Sequence, residues 1–158
     1  RKMKNQLFLV AEVASLVLLL SYGCSKYQKA PQSAPEVAVN VSQLQPDEVV
    51  RLYYESFDRK DYATMYALIS DGFKQLEPTA KNYELFAAEM DKYFNNGKGV
   101  QVVEVNKPDI SGDSAVVSYK ILLQLNTGDR EFESAFTLRK RHNGWKLIHP
   151  YGQNVDTS

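Results

Sequence analysis

The chain has 158 residues, which is long enough for one domain with a hydrophobic core and some additional length. Its 19 basic and 19 acidic residues give a formal net charge of zero, so the charge does not favour a nucleic-acid-binding protein. Ten tyrosines and seven phenylalanines predict either a well-filled core or an aromatic-lined cavity, and composition alone does not separate the two.

Residues 1–23 have the pattern of a secretory signal. The basic start RKMK precedes the apolar run LFLVAEVASLVLLL and then Cys24, the only cysteine, so no intrachain disulfide forms. This order resembles the signal of bacterial lipoproteins, in which a lipidated cysteine becomes the first residue after cleavage. Ser21 stands where such signals usually have leucine, and Tyr22 is bulky for its position. The resemblance implies a domain anchored to the membrane through Cys24, in the cell envelope and outside the cytoplasm.

A retained membrane helix is the alternative interpretation of the same segment. The apolar stretch Leu7–Tyr22 has 16 residues, fewer than the roughly 20 that cross a bilayer. Glu12 lies inside it, and an ionisable group within a membrane is costly unless it has a partner. In this alternative the domain is an accessory structural subunit of a membrane protein complex, held by its N-terminal helix.

The rest of the chain divides into a linker, one domain and a tail. Residues 24–45 contain two prolines and many small or polar residues without a helical or strand period, which predicts a flexible linker. Residues 46–150 carry the periodic patterns of a folded domain. Residues 151–158 are predicted to be a loose tail.

Three amphipathic helices are predicted at the start of the domain. Pro46 suits the first position of a helix, and the helical pattern breaks at Asp61, a good N-cap for a second helix. The turn residues 70–72 are predicted to end that second helix. A third helix covers about 81–95, with Gly97 where a C-terminal cap is expected.

Past this point the hydrophobic period changes from 3.6 to 2, which predicts strands. A short strand, two long alternating strands and a last strand are predicted at about 101–106, 115–125, 130–141 and 145–149. Turn signals separate them, and Asn143-Gly144 is typical of a two-residue hairpin. Helices followed by an antiparallel meander predict an α+β domain with its helices on one face of the sheet.

The order of these elements resembles the NTF2-like superfamily. The segments YYESFDRKDYATMYALIS, ISGD and NGWKL carry the resemblance, which spans residues 42–149 and is similar to small domains of unknown function in bacterial lipoproteins. It implies a cone in which a curved sheet wraps around three helices, with a pocket at the wide end in many members. Some members are isomerases, dehydratases or hydrolases, others bind or assemble, and dimers are common, so a homodimer is one implied partner.

Enzymatic activity is an alternative that the resemblance raises. In ketosteroid-isomerase-like members a tyrosine of the first helix stabilises an oxyanion and a carboxylate abstracts a proton. Tyr53 and Glu77 fall near those positions, whereas Phe136 and Thr137 stand where a second acidic donor is expected. The alternative roles are a core aromatic for Tyr53 and a solvated loop residue for Glu77.

The histidines and the basic cluster are weaker signals. His142 and His149 lie apart, without cysteines or paired carboxylates at ligand spacing, so neither a metal nor a cofactor is predicted. The cluster at 139–142 together with Lys146 splits between two faces because neighbours on a strand point to opposite sides. A charged, solvated strand edge is the first interpretation, and contact with lipid headgroups or an acidic partner is the second.

The leading interpretation is a non-catalytic, membrane-tethered NTF2-like domain that binds a partner protein or a small apolar ligand. The aromatic residues predicted to line its core or ligand pocket are Tyr53, Phe57, Tyr66, Phe73, Phe86, Phe136 and Trp145. The accessory subunit and a ketosteroid-isomerase-like or dehydratase-like enzyme remain the alternatives.

Overall fold

The computed structural model describes residues 34–152. The predictions for the signal segment 1–23, for Cys24 and for residues 153–158 of the tail fall outside the described residues. Within 34–152, no helix has the length and the apolar character that crossing a membrane requires.

Four helices and then five strands follow one another along the described part of the chain. The helices are α1 (Pro46–Asp58), α2 (Tyr62–Leu68), α3 (Asp71–Leu76) and α4 (Tyr83–Asn96). The strands are β1 (Gly97–Val105), β2 (Asp109–Ser111), β3 (Ser114–Leu125), β4 (Gly128–Arg141) and β5 (Gly144–Leu147). Single 3-10 turns at Val41–Gln43 and Pro78–Ala80 precede α1 and α4. The predicted α+β class is confirmed.

Side chains at the helix starts explain why three predicted helices begin where they do. Gln45 and Glu48 form a capping box ahead of α1. Asp61 caps α2, because its carboxylate accepts the backbone N–H of Thr64 at 3.1 Å. Asn82 caps α4 in the same way. The predicted helices α1, α2 and α4 are therefore confirmed. At the start of each helix a nearby side chain accepts a hydrogen bond from a free backbone N–H group.

The turn residues 70–72 do not simply end the second helix. Helix α2 stops at Leu68, and Ile69 is extended. The hydroxyl of Ser70 then accepts the backbone N–H of Phe73 at 2.9 Å, which makes Ser70 the N-cap of the short helix α3. The segment that was predicted only to end one helix therefore also starts the next one.

Gly97 stands at the C-terminal cap of α4, as predicted, but it does not have the left-handed conformation of a glycine cap. Its φ of −135° and ψ of 167° are extended, and Gly97 is the first residue of β1. A Cβ at this position would lie 2.7 Å from the ring of Tyr93. The glycine therefore lets the chain pass close to α4 as the helix turns directly into a strand.

The strands form one antiparallel sheet in the order β1-β3-β4-β5, and β2 pairs with the start of β3. β3 is paired along its full length with β4, from Gly128 to Arg139. Register shifts in the β1–β3 pair, one of them between Val102 and Glu104, bend and twist the sheet. The outcome is the curved sheet around helices that the NTF2-like resemblance implies. Strand β2 was not predicted, because three exposed residues carry no readable period.

The core lies between α1 and the concave face of the sheet. Val49 and Val50 of α1 are fully buried in one cluster with Val117 of β3 and Leu138 of β4. Val50 and Tyr54, to one side of the face that carries Val49, are buried as well. The helix is therefore enclosed over a wider arc than one stripe, because the sheet curves around it.

The outer edge of β5 is closed by the chain between α2 and α3. Ile69 bridges to Leu147, and the backbone N–H of Ser70 donates to the Leu147 carbonyl at 2.9 Å. Lys146 is only 5% exposed. The prediction of a charged, solvated strand edge is therefore wrong for Lys146, since another segment already pairs with this strand.

Candidate functional site

Four aromatic rings fill the space between α1 and the middle of β3 and β4. We call Tyr53, Tyr54, Tyr119 and Phe136 the ring cluster. The ring centroids of Tyr53 and Phe136 are 5.7 Å apart, and those of Tyr119 and Phe136 are 5.1 Å apart and stacked. Contacts between aromatic rings at these distances stabilise the folded protein by more than the burial of their surface area alone. Side chains of the protein itself therefore fill the space between this helix and the sheet.

The ring cluster contains one buried hydroxyl pair. The hydroxyl of Tyr54 donates to the hydroxyl of Tyr119 at 2.7 Å. Burial, followed by the neighbouring Tyr119, raises the pKa of Tyr54 well above its ordinary value. Tyr54 therefore keeps its hydroxyl proton at physiological pH. The sequence analysis identified Tyr53 and Phe136 but missed Tyr54 and Tyr119, although Tyr119 stands in the inward series of an alternating strand.

Glu77 lies in a different set of contacts. Its carboxylate accepts the hydroxyl of Thr79 at 2.8 Å and the backbone N–H of the same residue at 3.2 Å. The imidazole Nε2 of His149 is 3.5 Å away, and the His149 ring packs on Phe73 with centroids 5.0 Å apart. Glu77 therefore holds the turn ahead of α4 and is not a free loop carboxylate.

Tyr53 and Glu77 have different contacts in the structure. The four cavities described among residues 34–152 are lined by neither residue. Tyr53 packs on Tyr54 and Phe136, whereas Glu77 contacts Thr79 and His149. The hydrogen bonds from Thr79 lower the pKa of Glu77, with His149 adding to them. A general base benefits from a pKa raised towards the working pH, so the surroundings of Glu77 act in the opposite direction.

The other predicted pocket aromatics lie in several separate contacts. The ring of Phe57 packs on Tyr93 at 5.1 Å, and that of Tyr66 packs on Phe86 at 5.4 Å. Phe86 and Trp145 are core residues, with exposures of 2% and 7%. These side chains connect the helices to one another and to the sheet. They do not converge on one ligand-sized space.

The first half of β4, residues 128–135, is exposed along its whole length. Among the described strands only β3 pairs with it, because β5 reaches no further than Leu138. Phe132 lies directly opposite Ile121, which is 2% exposed, so both side chains point to the concave face. No helix of residues 34–152 covers Phe132, and it remains 45% exposed. The alternating pattern of β4 puts Phe132 on the inward side but does not reveal this exposure.

Polar side chains do not assemble a metal centre in the described part of the chain. Residues 34–152 contain no group of three histidine, cysteine, aspartate or glutamate side chains placed to hold an ion. Glu77 and His149 are a pair without a third ligand. The chemistry available at these sites is hydrogen bonding, apolar contact and charge.

Comparison with known proteins gives a family and a fold. A family model described as a SnoaL-like domain matches residues 47–151. A search of the curated proteins found no match. A solution structure of a SEC-C motif containing protein from Rhodopseudomonas palustris is similar, with a TM-score of 0.52 and 10% identity over 70% of this chain and 79% of that one.

Two crystal structures named as NTF2-like are similar at lower scores. One is a protein of unknown function from Shewanella oneidensis, with a TM-score of 0.46 and 11% identity over 63% of this chain and 89% of that one. The other is a putative dehydratase from Streptomyces avermitilis, with a TM-score of 0.44 and 17% identity over 64% of this chain and 88% of that one.

Proposed function

The chain belongs to the SnoaL-like domain family, and from that premise we propose that it is a non-catalytic binding domain of the bacterial cell envelope. In this proposal the domain is tethered to the outer side of a membrane and binds an apolar side chain of a partner protein at Phe132. Fold alone does not assign an activity, so the support for this function comes from the surroundings of Phe132.

The exposure of Phe132 is the observation that carries the proposal. Its neighbour across the strands, Ile121, is buried under the helices, while Phe132 on the same face is 45% exposed. Leaving a phenylalanine ring partly in water forgoes hydrophobic stabilisation of about 25 cal/mol for each Å². A partner that covers this ring recovers that stabilisation.

The openness of this region favours a protein over a small molecule. Small-molecule sites are usually concave and enclose most of the ligand surface in about 300–1,000 Å³. Phe132 lines none of the four cavities described among residues 34–152 and stands on a strand exposed from 128 to 135. An exposed strand with one aromatic anchor resembles the contact surface of a protein interface.

The tether is proposed from the sequence of residues 1–23 and from Cys24. A basic start, an apolar run and a single cysteine at its end are features of a lipoprotein signal. Lipidation at Cys24 would hold the domain at the membrane through the linker, which by random-coil scaling extends some tens of Å at most.

The test is native mass spectrometry of the full chain, extracted gently from its own membranes without overexpression. Three forms are compared: the natural chain, Phe132→Ser and the matched control Val116→Ser. Val116 is 43% exposed, and it lies on the opposite face of the sheet because its neighbours Ala115 and Val117 are buried. We expect a second protein, or a second copy of this chain, bound to the natural chain and to Val116→Ser but absent from Phe132→Ser.

Each result decides one part of the proposal. A partner retained by Phe132→Ser contradicts the role of this residue, and a small bound mass in place of a protein favours a small apolar ligand. A mass that corresponds to cleavage before Cys24 with attached acyl chains supports the lipid tether. An uncleaved chain favours the accessory subunit with a retained helix.

A further inference from the structure

A cavity of about 150 Å³ lies between α3 and the hairpin that joins β4 to β5. We call it the lysine cavity. Two lysines line it, Lys74 from α3 and Lys146 from β5, and Arg141 and His142 contribute from the hairpin. Among the described residues of the lining, Asp71 is the only one with a carboxylate, and its side chain is 91% exposed. The two lysines of the described lining therefore outnumber its carboxylates.

Lys146 is the central feature of the cavity. It is 5% exposed, and its ammonium group donates to the backbone carbonyl of Ala67 at 2.6 Å. No carboxylate of residues 34–152 lies within ion-pair distance of it. An ammonium group has three donors, and burying a charge without a counterion is costly. The carbonyl of Ala67 uses one donor and supplies no negative charge.

The charged neighbours of Lys146 give it no matched counterion. Arg139 lies directly opposite Lys146 on the paired strand, and like charges in this position are destabilising. Burial and then the charge of Lys74 lower the pKa of Lys146, and the charge of Asp71 opposes them with a smaller effect. The nearest acid, Asp71, forms an exposed ion pair with Lys74 at 3.3 Å. Such exposed pairs contribute little.

We infer that the lysine cavity is a binding site for a small oxyanion, specifically a phosphate group. An oxyanion provides both the negative charge and the acceptor oxygens that the ammonium groups of Lys146 and Lys74 need. The phosphate is either a free ion or the headgroup of a membrane lipid, because both present the same oxygens. This inference does not depend on the partner site at Phe132, which lies on another part of the sheet.

The size of the cavity limits the ligand. Sites for drug-sized molecules have about 300–1,000 Å³, so a space of about 150 Å³ accepts a single small group and excludes a nucleotide base with its sugar. The bond from Lys146 to Ala67, near the end of α2, has a structural role as well. That role uses one of the three N–H donors of Lys146 and does not balance its positive charge.

The experiment is a phosphate titration of the full chain labelled with ¹⁵N-lysine, in nonionic detergent micelles. Inorganic phosphate replaces chloride at constant ionic strength, and backbone signals are followed by two-dimensional NMR. We expect saturable shifts at Lys74 and Lys146 and no saturable shift at Lys92, an exposed lysine of α4 paired with Glu89. Phosphate also strengthens folding generally, but that effect is neither saturable nor local.

Variants separate binding from folding. Lys146→Met and Lys74→Met are each expected to weaken phosphate binding by at least about tenfold, whereas Lys92→Met leaves it unchanged. Lys74 is the safer substitution, since it lies on the surface side of the cavity with 24% of its side chain exposed. The inference fails if either cavity variant binds phosphate as the natural chain does.

A second arm identifies the source of the phosphate. The full chain is placed in nanodiscs of phosphatidylcholine with or without phosphatidic acid. If the shifts at Lys74 and Lys146 saturate with free phosphate, the ligand is a soluble anion. If they saturate only with phosphatidic acid, the ligand is a lipid headgroup. The absence of a response in both arms overturns the inference.

Discussion

The hydroxyl groups of Tyr54 and Tyr119 meet at 2.7 Å in the interior, where helix α1 crosses strand β3. Both residues are buried, with exposures of 8% and 6%. Each hydroxyl is the hydrogen-bond partner of the other, and the pair links the helix to the sheet.

Removing one hydroxyl of this pair should destabilise the protein. Tyr54→Phe leaves the hydroxyl of Tyr119 buried without its partner, which costs about 1–3 kcal/mol. The double variant Tyr54→Phe/Tyr119→Phe should lose less than the sum of the single losses. Urea unfolding of the four forms measures this coupling. Tyr151→Phe is the control, because Tyr151 is 90% exposed. Additive losses would show that the hydroxyls do not depend on each other.

The N-cap of α2 gives a second prediction. Asp61 accepts both the backbone N–H and the hydroxyl of Thr64, at 3.1 and 2.6 Å. Asp61→Ala should therefore lower the free energy of unfolding by about 1 kcal/mol, while Asp61→Asn keeps an acceptor and loses less. Asp109→Ala, at an exposed position of β2, is the control. Equal losses for Asp61→Ala and Asp109→Ala would contradict the capping role.

The sequence predicted those parts of the fold whose signals are local. The first helix is marked by Pro46 at its start, the second by the capping carboxylate of Asp61, and the last hairpin by Asn143-Gly144. Each of these residues acts on its immediate neighbours, so one sequence is enough to recognise it. The long alternating strands β3 and β4 are equally plain, because their period continues over many residues.

The candidate sites were harder to predict, because they depend on contacts between distant segments. Phe132 belongs to the inward series of β4, and only the lengths of the neighbouring elements decide that no helix covers it. Lys146 is buried because the segment around Ser70 pairs with β5, and no local sequence pattern predicts this pairing. Helix α3 was missed for a different reason, since its few residues include Gly72 and carry no helical period.

The close approach at the β4–β5 turn gives a third prediction. Gly144 has a φ of +100°, and a Cβ there would lie 2.8 Å from the Cα of Ser42. Gly144→Ala combines backbone strain with a clash against backbone atoms, so we expect a loss of at least about 2 kcal/mol. Gly112→Ala is the matched control, because Gly112 also has a positive φ, +59°, but open space around it. Urea midpoints compare the two, and equal losses would show that the contact with Ser42 has no effect.

The carboxylate of Glu77 gives a prediction on pH. The hydrogen bonds from Thr79, with His149 second, lower the pKa of Glu77 below its ordinary value of 4.5. A carboxylate with a lowered pKa in the folded state stabilises the protein above its unfolded pKa, and this contribution is lost as the pH falls through the folded pKa. Glu77→Gln should therefore be less stable than the natural chain at neutral pH. The difference should disappear as the pH falls below about 4.5.

Two measurements check this mechanism for Glu77. Urea unfolding between neutral and acidic pH compares Glu77→Gln with Glu131→Gln, an exposed carboxylate of β4 that serves as the control. NMR titration of the Glu77 carboxyl carbon then compares Thr79→Val with His149→Gln. Because the hydroxyl of Thr79 is the largest cause, Thr79→Val should raise the pKa of Glu77 more than His149→Gln does. A larger rise in His149→Gln would mean that the contact with the imidazole, at 3.5 Å, dominates instead.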